Sequence, residues 1–349
     1  MEVIMILPVE FPPITTSPEY ADLLSTVLPQ KGGQEWYFSS FIQVFSDYRI
    51  FKKGEIRFRE HLFALNKTFP QFWYHCNPFL YSYNAIDDFS ILFEFENIIE
   101  KFKQFIDDKY YLIVYLDRHY LDNTYKIGSI HSMLIYGYDQ VSFKVTDFIS
   151  EGSYTFVSIL FSDVLESYKY KYKLPKHIDY AKKLVMFKMK NTEYKTDGIL
   201  IQRTLEDYLY ERNTTESYEL MLDISKHHNP IYWGMSCIKY LISVLSYAMK
   251  NDLGLLDEIN IKSMFLMYDH KKAMCERIKY FLNYNFIENH MFYDEYEIIK
   301  TKMLNCVNIC IKYNISKNDK LLHRAISVLD ETYDREKYLL EKLITEFTL

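Results

Sequence analysis

The chain has 349 residues, 49% of them apolar, with 33 Tyr, 25 Phe and a net charge of −6. That is ample material for one large or two medium cores and excludes a disordered chain, and the acidic balance without any long Lys/Arg run speaks against nucleic acid or an anionic lipid surface as partner. No apolar run reaches membrane-spanning length, and the start, MEVIMILPVEFPP, lacks a basic region and a small-residue cleavage site, so the expectation is a cytoplasmic protein with no membrane partner.

Ser17 and Pro18 open an apolar helical pattern (Tyr20, Leu23, Leu24, Val27, Leu28), with serine as N-cap and proline at the first helical position, that stops before Pro29. A loop from Lys31 to Gln34 leads into WYFSSFIQVF at 36–45, read as a buried segment whose helix starts near Ser39 or Ser40, because serine caps helices well. Residues 57–69 look helical and 72–83 extended, with Pro70 and Pro78 breaking any longer element. Residues 94–108 carry the amphipathic pattern Phe95, Ile98, Ile99, Phe102, Phe105, Ile106, which predicts a helix with one apolar face.

Four runs of β-branched and aromatic residues follow at 110–116, 132–138, 142–148 and 154–160, separated by Asn, Asp, Gly and Ser clusters, and they predict an antiparallel meander. A helix is expected over 162–170 and a strand over 184–189. From 199 onward the periodicity is helical, at 199–212, at 230–251 behind Asn229, at 260–284, at 292–313, and at 319–347 behind Asn318. Long helices joined by short polar loops predict a bundle. The fold class expected is therefore α+β: a domain over 1–190 with a small antiparallel sheet, and a helical domain over 199–349. The five cysteines (Cys76, Cys237, Cys275, Cys306, Cys310) are odd in number and lack paired spacing, which argues against a disulfide framework. Cys306 and Cys310, four apart on a helical pattern, read as small core residues.

The meander also suggests chemistry. His131 opens its second strand and Asp147 closes its third, so pairing about the turn at 139–142 brings an imidazole and a carboxylate to one sheet edge, the arrangement that orients a general base. Asp117 and His119 with His131 form an alternative two-histidine, one-carboxylate set. His227 and His228 read as loop residues, and Asp269, His270, Lys271 and Lys272 as a solvated helix face. No Gly-rich phosphate loop, CxxC pair or HExxH is present.

The run YLDRHYLDNTYKIGSIHSMLIYGYDQVSFKVTDF at 115–148 resembles bacterial proteins related to the butirosin biosynthesis protein H N-terminal family. Its matching pieces are Asp117 and Tyr120, the block from His131 to Asp139, and Asp147; MYDHKKAMCERIKYFL at 267–282 resembles the C-terminal region of such proteins. The resemblance implies a papain-like N-terminal domain associated with natural-product, including nonribosomal peptide, assembly lines. It also implies transfer of acyl groups from an acyl- or peptidyl-carrier protein; separately, no cofactor and no metal are expected. His131 would be the base and Asp147 its orienter. Gln34, six residues before Ser40, has the spacing of a papain-like oxyanion donor before the nucleophile. The family's nucleophile is an N-terminal cysteine, whereas this sequence has none before Cys76, so the nucleophile expected is Ser40, with Ser39 as its neighbour. Two functions follow as expectations: a Ser-His-Asp acyltransferase or thioester-cleaving enzyme, and a non-catalytic accessory that binds a carrier domain or peptide product in the same cleft.

Overall fold

The computed structural model describes residues 5–47, 64–65, 78–86, 97–121, 124–126, 128–148, 153–171, 183–190, 192–214, 231–250, 259 and 261–348. In chain order they form β1 (Met5–Ile6), α1 (Pro18–Val27), α2 (Gly33–Ser40), β2 (Val44–Asp47), β3 (Ala64–Leu65), β4 (Leu80–Ile86), α3 (Ile98–Asp107) and β5 (Tyr111–Asp117). After a 3-10 turn (Arg118–Tyr120) come β6 (Ile130–Tyr138), β7 (Ser142–Asp147), β8 (Thr155–Leu160), α4 (Phe161–Lys171) and β9 (Leu184–Met189). The remainder is α5 (Gly198–Leu209), β10 (Ile231–Trp233), α6 (Ser236–Lys250), α7 (Ile261–Asn283), α8 (Met291–Ser316) and α9 (Asp319–Glu346). The fold is α+β with a helical C-terminal region, and no helix among the described residues is long and apolar enough to cross a membrane.

The chain divides into two compact units, the first made of Met1–Gly33 and Tyr74–Tyr194, the second of Gln34–Trp73 and Lys195–Leu349. The first unit is built on a seven-stranded sheet in the order β4-β9-β5-β6-β7-β8, with β1 added to β6. All its pairings are antiparallel. The β6–β7 hairpin is fixed by Asp139, whose carboxylate accepts from the amides of Val141 and Ser142 and from Lys144 Nζ. The register slips between Ile135 and Gly137, where β1 crosses β6. A Cβ at Gly137 would meet the Met5 carbonyl oxygen at 2.5 Å, so the crossing needs glycine. Helix α3 sinks Ile98, Phe102 and Ile106, spaced four apart, into the sheet's apolar core, with the Phe102 ring between Phe143 and Tyr168.

The second unit combines helices α5–α9 with a three-stranded sheet in the order β10-β2-β3. The segment 34–47 therefore belongs with the helices. Arg277 on α7 donates to the carbonyls of Phe38 and Phe41 at 2.7 and 2.6 Å, and His270 Nε2 donates to the carbonyl of Ile42 at 2.7 Å. These are orphan acceptors at the C-terminal end of α2, so α7 supplies the cap that the segment's own sequence lacks. The expected helix at 230–251 starts only at Ser236, because Ile231–Trp233 pairs with Phe45, Ser46 and Asp47 as β10. Gly234, at φ 55°, turns the chain between strand and helix. The helix expected over 57–69 lies outside the described residues, apart from Ala64 and Leu65, which form β3.

Of the cluster expected on a solvated face three residues are buried, Asp269 at 6% exposed and His270 and Lys271 at 0%, while Lys272 is half-buried. Lys271 Nζ reaches Tyr208 OH at 2.6 Å and Glu336 at 2.8 and 2.7 Å, and Glu336 also accepts from Tyr296 OH. Lys262 and Lys279 of α7 are exposed, whereas Lys271 is paired inside. Cys306 and Cys310 are buried in α8.

Candidate functional site

Strands β6 and β7 bring His131 and Asp147 together: His131 Nδ1 stands 3.1 Å from Asp147 Oδ1 and 2.9 Å from the Ser132 carbonyl oxygen. Both neighbours are acceptors, so Nδ1 carries the hydrogen and the neutral ring presents the Nε2 lone pair as a base. His131 keeps 27% of its side chain exposed, whereas that of Asp147 is 1% exposed. Arg118, delivered by the 3-10 turn after β5, donates through Nη2 to the same Asp147 oxygen at 2.8 Å and stacks on the Tyr125 ring. Burial works against ionisation of Asp147, but the hydrogen bonds from His131 and Arg118 and the guanidinium charge outweigh it and hold the carboxyl below its usual range. Among the described residues, Asp147 Oδ2 and Arg118 Nε are buried without a hydrogen-bond partner.

A second carboxyl lies close by. Asp22, on α1 and 3% exposed, accepts from Thr146 Oγ1 at 2.8 Å and from Tyr154 OH at 3.2 Å. Burial pushes it up to about 7; the two hydroxyls pull against that and the Asp147 charge adds to it. One residue earlier, Ala21 packs with Phe148 and Tyr154, and the His131 ring meets Phe148 edge to face at 5.8 Å. Ser17, four residues before Ala21, is the N-cap of α1 and has extended backbone. Its carbonyl accepts from the amides of Tyr20 and Ala21, but its side chain makes no capping bond. Among the described residues the Ser17 hydroxyl, 8% exposed, makes no capping bond at the positive end of a ten-residue helix.

The serines expected as nucleophile are placed differently. Helix α2 starts at Gly33, not at Ser39 or Ser40, because Gly32 at φ 83° and Gly33 turn the chain directly out of α1. A Cβ at Gly33 would lie 2.1 Å from the Val27 carbonyl oxygen. Ser39 and Ser40 consequently occupy the C-terminal end of α2, where the helix dipole opposes an alkoxide. Ser39 Oγ donates to the Glu35 carbonyl, and Ser40 is 2% exposed. Gln34 is exposed in the first turn. All three belong to the second unit, whereas His131, Asp147, Arg118, Asp22 and Ser17 belong to the first. Cys76, His227 and His228 lie outside the described residues.

The alternative set of Asp117, His119 and His131 does not present free ligands. The Asp117 carboxylate accepts from the amides of His119 and Gly128, fixing the loop after β5, and His119 Nδ1 faces the Tyr125 carbonyl. No group of three potential metal ligands is found among the described residues. In the sequence Ser17 is visible only as a cap, and Arg118 and Asp22 belong to no motif. The one signal they carry is polarity out of place: Asp22 interrupts an apolar helix face, and Arg118 follows a buried strand. Neither a family model nor a curated protein matches the sequence.

Proposed function

We propose that the first unit is a papain-like domain that transfers or hydrolyses acyl or peptidyl groups presented as thioesters by a carrier protein in natural-product biosynthesis. The observation that carries the chemistry is the imidazole of His131, fixed through Nδ1 by Asp147 with Nε2 left as a base. The resemblance of the block from His131 to Asp139 supplies the substrate class. In place of Ser39 and Ser40 we assign the nucleophile to Ser17, the N-cap of α1 in the same unit, whose side chain makes no capping bond; Ala21 of that helix packs with Phe148, and the Phe148 ring meets His131. His131 Nε2 takes the Ser17 proton as Oγ bonds to the thioester carbonyl carbon. The C–S bond then breaks, the proton passes to the carrier thiolate, and an amine or water releases the ester and restores the hydroxyl. The N-terminus of α1 favours the developing negative charge.

Incubation with an acyl thioester of N-acetylcysteamine and intact mass spectrometry tests this reading. The expected result is one acyl adduct, mapped to Ser17, lost in Ser17→Ala and formed roughly two to four orders of magnitude more slowly in His131→Ala. An adduct on Ser39, Ser40 or Cys76 rejects the assignment. The absence of any adduct together with retained binding of an acyl-carrier protein gives the second reading, a non-catalytic accessory. What favours that reading is that the helix N-terminus holds a hydroxyl, a far weaker nucleophile than a thiolate.

A further inference from the structure

Asp117 and His119 hold a loop together rather than a metal. The Asp117 side chain, 0% exposed, uses both carboxylate oxygens for this: Oδ1 accepts from the amide of His119 at 3.1 Å and Oδ2 from that of Gly128 at 2.7 Å. His119 Nδ1 lies 2.8 Å from the Tyr125 carbonyl oxygen, and the Arg118 amide donates to the Ser129 carbonyl at 3.1 Å. The Asp117 amide in turn donates to Ser167 Oγ of α4 at 2.7 Å, which anchors the start of the loop. These bonds set the two sides of the loop against each other, and the Arg118 guanidinium lies over the Tyr125 ring, 5.1 Å from its centroid.

From that ring Arg118 Nη2 donates to Asp147 Oδ1 at 2.8 Å, the same oxygen that stands 3.1 Å from His131 Nδ1. The other oxygen, Oδ2, has no hydrogen-bond partner among the described residues. Among those residues, the guanidinium is therefore the donor besides the imidazole itself that fixes which carboxylate oxygen faces His131. His131 Nδ1 also has the Ser132 carbonyl at 2.9 Å, so an imidazole whose carboxylate has turned away follows that second acceptor, and its Nε2 lone pair changes direction.

We propose that Arg118 is a positioning residue for the base: aimed by the Asp117 loop and the Tyr125 ring, it holds Asp147 Oδ1 against His131 Nδ1 and thereby fixes the tautomer and the direction of Nε2. Arg118 takes no proton and acts through Asp147 alone. An arginine suits the place because its planar guanidinium stacks by its face while donating from its edge, which a lysine ammonium does not do. The catalytic consequence rests on the acyl-transfer reading, whereas the orientation of the imidazole does not.

The test is NMR of the full-length protein carrying ¹⁵N-labelled histidine, without substrate, with the His131 signals assigned by their loss in His131→Gln. The wild type is expected to show one tautomer, protonated at Nδ1, with a slowly exchanging Hδ1 signal. Arg118→Ala should lose that signal. Free guanidinium at millimolar concentration should restore it, since Arg118 keeps 14% of its side chain exposed and its removal opens the position to solvent. Acylation of Ser17 should slow by about 100-fold in the same variant and recover with guanidinium. Tyr125→Leu leaves the arginine without its ring and should speed Hδ1 exchange by less; it decides the matter where Arg118→Ala does not fold. An Hδ1 signal that exchanges as in the wild type in the folded variants overturns the proposal, and so does a loss that guanidinium does not restore. Absence of any acyl adduct in the wild type rejects acyl transfer and leaves the NMR result standing, whereas an adduct on Ser17 with an unchanged Hδ1 signal in Arg118→Ala rejects the role of Arg118 alone.

Discussion

The two carboxyls of the site contribute to stability with opposite dependence on pH. Asp22 is raised from the ordinary 3.8 to about 7 in the folded chain. Below pH 3.8 both folded and unfolded forms are protonated; between 4 and 7 the unfolded chain ionises first, so folding loses stability as pH rises, and above 7 the loss is complete at up to about 4 kcal/mol. Asp147 is lowered, so its contribution is present above the unfolded value and lost as pH falls through the folded one. Denaturant unfolding should therefore show Asp22→Asn more stable than wild type at pH 8 and nearly equal to it at pH 4. A gain of equal size at both pH values would contradict the burial of an ionisable Asp22. At this scale the sequence was readable only where spacing was decisive. Histidine and aspartate at the ends of two strands around a short turn are brought together by β register, which a sequence displays. Asp22 and Arg118 reach the site through contacts 124 and 29 residues apart in the chain, for which no local pattern exists.

Among the elements, the four meander strands were legible because short runs of β-branched and aromatic residues bounded by Asn, Asp, Gly and Ser clusters suit a strand better than a helix. Helix α2 was not. Two serines in an aromatic run look like a start signal, and the true start is set by the turn at Gly32, at φ 83°, and Gly33. Gly33→Ala places a Cβ 2.1 Å from the Val27 carbonyl oxygen, so the backbone of this turn must shift. The expected cost is about 1–3 kcal/mol, read as a lower thermal midpoint, with secondary structure retained; an unchanged midpoint would show that the junction relaxes freely. Helix α7 hid its buried ion pair for a related reason, since Asp-His-Lys-Lys on a helix ordinarily faces water. Lys271→Met leaves Glu336 charged and 0% exposed without its cation, so about 3–5 kcal/mol of stability should be lost. Most of it should return in the double variant Lys271→Met with Glu336→Leu. A double variant no better than the single would mean that Tyr208 and Tyr296 are left with greater needs than the ion pair itself.

At the level of the whole molecule, the change from strand to helical periodicity near residue 195 is real, but the chain also crosses between units near residue 33, and nothing in the composition marks that crossing. The second unit is completed by an early segment: β2 is the strand on which β10 pairs, and the carbonyls of Phe38, Phe41 and Ile42 occupy the donors of Arg277 and His270. Arg277 and His270 are both 0% exposed. Burial and the Lys271 charge hold His270 well below its usual range, so it is neutral, whereas Arg277 remains a cation whose main-chain partners are the carbonyls of that segment. Take the segment away, and a guanidinium inside a helical bundle loses two charge-assisted hydrogen bonds, while β10 loses its only pairing among the described strands. A fragment of residues 195–349 should therefore keep helical circular dichroism yet unfold without a sharp transition, and a peptide of residues 34–47 added in trans should restore cooperativity. Arg277→Met in the full chain should lose about 2–5 kcal/mol by stranding the Phe38 and Phe41 carbonyls. A fragment that unfolds as sharply alone as with the peptide would show that the helices form a self-sufficient bundle and that the early segment merely rests in it.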